Sequence, residues 1–71
     1  MTVTDEMRFF IYLIEKYAYD RQLPTADVLR TWEEKGLVQE IYDGYQLYHT
    51  ERIENAYEDI EHLIKTGKHL W

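Results

Sequence analysis

Between Met7 and Ala18, apolar residues fall at Met7, Phe10, Ile11, Ile14, Tyr17 and Ala18. Steps of three and four mark one face of an α-helix, whereas a half-buried strand alternates. Phe9 and Leu13 widen the stripe. A helix this apolar must be covered over much of its circumference. In a chain of 71 residues it therefore becomes the element around which the others pack. The expected class is all-α, a small four-helix domain spanning residues 1–71 with the first helix central.

Such a chain has little core to spend on stability. Below ~80 residues a core alone rarely supplies more than about 3–5 kcal/mol. Disulfides and thiolate metal sites are the common supports, and the sequence has no cysteine. What remains is helix packing, a partner chain, or large aromatic side chains, each burying ~150–250 Å². Seven Tyr, two Phe and two Trp make the aromatic route available.

The helix boundaries carry their own signals. Thr4 is placed to cap the first helix, with Asp5 and Glu6 in the first turn, where the dipole favours acids. That helix is expected to end near residues 19–21. Pro24 disfavours helix at the residue before it. Thr25 then reads as the cap of a second helix with Val28, Leu29 and Trp32 inward. Gly36 after Lys35 reads as its end. A third helix is expected from Leu37–Val38 to Tyr48, with Gly44 inside it. A glycine there costs about 1 kcal/mol relative to alanine, and close approach of another helix is the expected compensation. Thr50 reads as the cap of a fourth helix carrying Ile53, Ala56, Tyr57, Ile60, Leu63 and Ile64, stopped by Gly67. Its outer face is acidic: Glu51, Glu54, Glu58, Asp59 and Glu61. Residues 69–71 read as a trailing end.

Several function classes are disfavoured. The net charge of −6 opposes binding to nucleic acid and to anionic membrane surfaces. The longest apolar run, Phe9 to Ile14, is far short of the ~20 residues of a membrane span, so a cytoplasmic protein is expected. The second and third helices have the outline of a helix-turn-helix. However, Trp32 stands where that motif wants a small residue, and no Lys or Arg occurs between Lys35 and Arg52 to meet phosphate. With neither serine nor cysteine, few routes to covalent catalysis remain. His49 is a candidate general base, but no neighbour completes a nucleophile–base–orienter set. Its plainer reading is capping of helix carbonyls or packing of the turn. His49, His62 and His69 lack the i, i+4 spacing that puts two imidazoles on one helical face. No metal and no cofactor are expected.

Tyr42, Tyr45 and Tyr48 step by about 60° around the third helix and span a stripe about 120° wide. One side should be core and the other surface. Tyrosine suits interfaces because it is apolar with a polar tip. The expected function is a non-catalytic protein-interaction module. Its contact residues would be the exposed members of Tyr42, Tyr45 and Tyr48, with Glu54, Glu58 and Glu61, facing a basic protein. Gly36, Gly44, His49 and Thr50 are expected to shape the turns. The alternatives are a self-associating homo-oligomer, motivated by the thin core, and an enzyme using His49.

The chain also resembles a small bacterial family designated domain of unknown function thirty-seven ninety-one. Ile14-Glu15-Lys16-Tyr17 matches its Ile-Glu-x-Tyr segment, and Leu23 with Val28 to Trp32 its next helix, with Trp for Phe. Lys35-Gly36-Leu37 stands for Tyr-Gly-Val. Ile41 and Tyr45 match directly, and Tyr48-His49-Thr50 stands for Leu-His-Thr. Glu58 to Ile64 matches the acidic Asp-Ile-Asp end. Tyr48 for Leu, and Gln39-Glu40 for Asp-Tyr, are departures. The resemblance implies a compact helical protein without assigned activity. It further implies genes placed beside ADP-ribosyltransferase-like proteins, and hence an antitoxin-like neutraliser of a partner encoded nearby.

Overall fold

Helix α1 (Asp5–Asp20) begins where the Thr4 side chain accepts the Met7 amide at 3.1 Å. In the computed structural model, which describes residues 3–70, it is followed by α2 (Thr25–Glu34), α3 (Val38–Asp43), α4 (Tyr45–Tyr48) and α5 (Ile53–Thr66). No strand occurs among the described residues.

Two helices close in the same way. Past α1, Gln22 takes φ 57°, the left-handed region. Its amide reaches the Tyr19 carbonyl at 3.1 Å and the Leu23 amide reaches Ala18 at 2.9 Å. Past α2, Gly36 at φ 69° repeats the pattern, with Leu37 bonded to Trp32 at 2.8 Å. These paired bonds satisfy carbonyls that the helix itself leaves open. Gly67 at φ 77° ends α5 as expected.

The caps of α2 and α5 differ from expectation. Pro24, not Thr25, occupies the N-cap of α2, and its carbonyl takes the Asp27 and Val28 amides. Proline's fixed φ already suits the helix entrance, so no side-chain cap is required. Thr50 does not cap α5. Its hydroxyl donates backwards to the Leu47 carbonyl at 2.9 Å and closes α4. Arg52 holds the N-cap of α5 without a side-chain bond.

The expected third helix is two helices, so the described residues form five helices rather than four. Gly44 sits at φ −75°, ψ 1° between α3 and α4, away from the helical ψ near −42°. Its amide turns back to Ile41 at 3.1 Å, and the helix restarts when Tyr48 bonds the Gly44 carbonyl at 2.9 Å. The close neighbour at Gly44 is also not another helix. A Cβ at Gly44 would lie 2.5 Å from the Tyr48 ring, one turn further along.

All five helices contribute to one core. α1 supplies Leu13, Ile14, Tyr17 and Ala18; α2 supplies Val28 and Trp32. Leu37 and Ile41, Tyr48, and the α5 residues Ala56, Tyr57, Ile60 and Leu63 complete it. Burial of a Leu or Ile side chain is worth about 1.5–3 kcal/mol. Trp32, 1% exposed, meets Phe10 and Tyr17 edge-on at 6.0 and 5.7 Å, and Tyr17 meets Tyr57 at 5.4 Å. These rings form a column joining α1, α2 and α5. Each such contact adds about 0.5–1.5 kcal/mol beyond its area. Met7 and Ile11, expected inward, are 41% and 45% exposed. The other helices cover the side of α1 that carries Leu13 and Tyr17, and these two residues lie at its margin. No described helix is long and apolar enough to cross a membrane.

Replacing Gly44 with alanine tests the break. Propensity alone favours the variant by about 1 kcal/mol. The added methyl must instead displace the buried Tyr48 ring, and overpacking of this kind costs about 1–3 kcal/mol. Gly44→Ala is therefore expected to be destabilised in urea denaturation, and a gain in stability would refute the steric account.

Candidate functional site

Three buried tyrosines each direct a hydroxyl at a carboxylate on another helix. Tyr17 of α1 donates to Glu61 of α5 at 2.7 Å, and Tyr57 of α5 donates to Asp20 of α1 at 2.8 Å. Arg21 adds two bonds to the same Glu61 oxygen, at 2.8 and 3.1 Å. Its guanidinium lies 4.9 Å from the Tyr17 ring centre. The third pair, Tyr48 to Asp59, joins α4 to α5.

Asp59 is 2% exposed and fully bonded. Besides Tyr48, it accepts the Leu70 amide at 2.6 Å, and His69 Nδ1 lies 2.7 Å away. The other ring nitrogen of His69 is 3.2 Å from Glu40. Residues 68–70 thus return along α5 instead of trailing off, helped by His62 Nδ1 against the Lys68 carbonyl at 2.7 Å. Trp71 lies outside the described residues.

The returning segment walls a cleft of about 270 Å³ against α4 and the start of α5. Leu47, Leu70 and Tyr48 provide apolar lining; Glu51, Asn55 and Glu58 stand around it, with Asp59 behind. Leu47 and Leu70 are 43% and 56% exposed. Among the described residues, no lysine or arginine lines it. Glu51 accepts from Asn55 at 3.1 Å, and Glu58 forms no ion pair among the described residues. On the far side of Glu58 and Leu70 a wider depression of about 460 Å³ carries Glu54, Glu61, His62, Arg21 and Lys65.

The expected contact residues separate on this framework. Tyr48 is a core residue, 3% exposed, and leaves the surface set because its hydroxyl is needed at Asp59. Tyr42 is half-buried against Phe10, with ring centres 5.9 Å apart. Tyr45 is half-buried between Phe9, at 5.6 Å, and His49, on which it stacks at 4.1 Å. His49 Nδ1 also faces the Tyr45 carbonyl, so it closes the end of α4. Glu54 is exposed beside Arg52, 3.7 Å away. Glu58 is exposed at the cleft, while Glu61 is half-buried and held by Tyr17 and Arg21. Asp59, read from sequence as part of the solvated acidic face, is buried. It lies three residues after Ala56 and four before Leu63, which continues the buried arc. That spacing was the available signal. Leu47, Leu70 and His69 carried none.

Among known families, the model described as "Protein of unknown function (DUF3791)" matches residues 8–67. The span includes both partners of all three tyrosine–carboxylate bonds, and His69 and Leu70 lie beyond it. No curated protein and no solved structure matches the chain.

Two predictions follow from the bonding. Asp59→Ala leaves the Tyr48 hydroxyl and the Leu70 amide without their acceptor. It should cost about 3 kcal/mol or more in urea denaturation, against about 1 kcal/mol for Tyr48→Phe, which leaves Asp59 two partners. Equal losses would contradict the three-partner node. The second concerns pH. Burial works against Glu61, but Tyr17 and Arg21 together hold its carboxyl below the usual 4.5. The Tyr57 hydroxyl, with help from Lys16 and against some burial, holds Asp20 below 3.8. Groups lowered on folding stabilise fully above their unfolded values and lose that contribution as pH falls through the folded ones. The urea midpoint should fall below about pH 4.5, and Glu61→Gln should reduce the fall. Burial, then the facing carboxylate, raises the phenols of Tyr17, Tyr48 and Tyr57 above 10.0. That stabilisation is complete below pH 10 and fades above it. A flat midpoint from pH 3 to pH 6 would contradict the acid branch.

Proposed function

The chain belongs to the DUF3791 family, and we propose that it is a non-catalytic binding module that docks a cationic protein segment in the Leu47–Leu70 cleft. The observation that carries this reading is the pairing of apolar lining with an acidic surround that, among the described residues, includes no lysine or arginine. A lysine or arginine side chain has the matching form: an aliphatic stem for Leu47 and Leu70, and a charged head for Glu58 and Glu51. Tyr42 and Tyr45 pack against Phe10 and Phe9 of α1 and stand apart from this cleft. Exposed Glu54 adds to the negative field that draws a basic partner in. In the cell such a module serves as an antitoxin-like neutraliser of a partner encoded nearby, for which an ADP-ribosyltransferase-like protein is the candidate. His49 is occupied by the Tyr45 ring and carbonyl, which favours a structural role for it over catalysis.

A short peptide alternating leucine and lysine is the probe, titrated into isotopically labelled protein and followed by amide shifts. The expected perturbations centre on Leu47, Asn55, Glu58 and Leu70, weaken with salt, and vanish in Glu58→Lys. Shifts spread over all acidic residues, or no greater than with a peptide of leucine and glutamate, would overturn the reading.

A further inference from the structure

The outward face of α1 is apolar in a way that the fold does not use. Tyr12 and Tyr19 are 53% and 79% exposed, and Ile11 is 45% exposed. At ~100° per residue, these three lie with Arg8 and Glu15 in an arc of about 100°, opposite Leu13 and Tyr17. Arg8 and Glu15 are exposed, are the only charges in that arc, and form no ion pair among the described residues. Most other basic side chains near a carboxylate are already engaged, as Lys16 is with Asp20 and Arg21 with Glu61.

The order of these residues is self-complementary. We propose that α1 is the contact surface for a second copy of the chain, packed antiparallel about a two-fold axis midway between Ile11 and Tyr12. In that arrangement Arg8 faces Glu15 of the partner subunit, and Glu15 faces the partner's Arg8. Next to the axis Ile11 lies beside the partner's Ile11, and Tyr12 beside the partner's Tyr12. Thr4 falls opposite the partner's Tyr19. The Arg8–Glu15 and Thr4–Tyr19 pairs share the midpoint at which Ile11 and Tyr12 meet their own copies, so a single axis relates them all, as a symmetric dimer requires. A parallel copy would set Arg8 against the partner's Arg8 and Glu15 against the partner's Glu15, so charge selects the orientation.

This surface is separate from the cleft. Tyr17, Asp20 and Arg21 hold α5 from the opposite side of α1, so a dimer presents two free clefts facing outward. The contact is modest: a helix of 16 residues gives a seam of about 24 Å, at the small end of specific interfaces, so the dimer is a weak one.

Sedimentation velocity from about 1 to about 500 µM covers weak association. The sedimentation coefficient is expected to climb from the monomer to the dimer value. Arg8→Glu and Glu15→Arg each place like charges across both ends of the seam, and each should weaken association at least tenfold. An equimolar mixture of the two variants should associate again, because one chain then carries two acids and the other two bases. Circular dichroism checks that the variants stay folded, which their exposed, unbonded positions favour. A monomer at every concentration would assign the face to solvent or to a different protein and overturn the proposal. So would a dimer that Arg8→Glu leaves unmoved, or a mixture no tighter than either variant alone.

Discussion

Every tyrosine hydroxyl taken into the core meets a carboxylate from a different helix. That constraint organises the molecule. A chain this short has to bury aromatic rings to gain enough apolar area, and a buried phenol left without an acceptor costs about 1–3 kcal/mol. Tyr17 and Tyr57 solve this reciprocally, each donating across the α1–α5 contact. Tyr48 solves it through Asp59. The same bonds also fix how α5 is rotated against α1 and α4. Polar groups thus define the register that a thin apolar core defines poorly by itself.

Asp59 carries this arrangement from the core to the surface. Its three partners come from α4 and from the returning residues 69 and 70. By holding Leu70 in place it builds one wall of the acidic cleft. The packing requirement and the proposed docking site therefore share a side chain. The outer face of α1 lies beyond the reach of this network, and none of the described helices covers its apolar residues.

Much of the helix pattern was legible in the sequence because caps and stops are local. Thr4, Gly36 and Gly67 act on the amides and carbonyls nearest to them, and each does what its type suggests. Thr50 misled because a hydroxyl between two helices can close the first as easily as open the second. Met7 and Ile11 misled because periodicity shows that a face is apolar and not whether anything covers it. The site was less readable. Asp59 and Glu58 are adjacent acids, and only their angular position relative to Ala56 and Leu63 separates a buried anchor from a surface charge. The place of Tyr48 depends on the break at Gly44, whose effect is to turn one short helix relative to the next. The left-handed Gln22 has no signal at all, since glutamine does not announce that conformation as glycine does.

The exchange of hydroxyls between α1 and α5 also shapes how the molecule comes apart. Its two bonds join residues 44 and 37 positions apart, so closing them costs more chain entropy than closing a local bond. Once closed, they make the two helices mutual supports. Lifting α5 strips the acceptor from Tyr17 and the donor from Asp20 together, and it opens the aromatic column at Tyr57. Neither helix keeps its own interior without the other. The first and last helices thus open together, as a single cooperative unit.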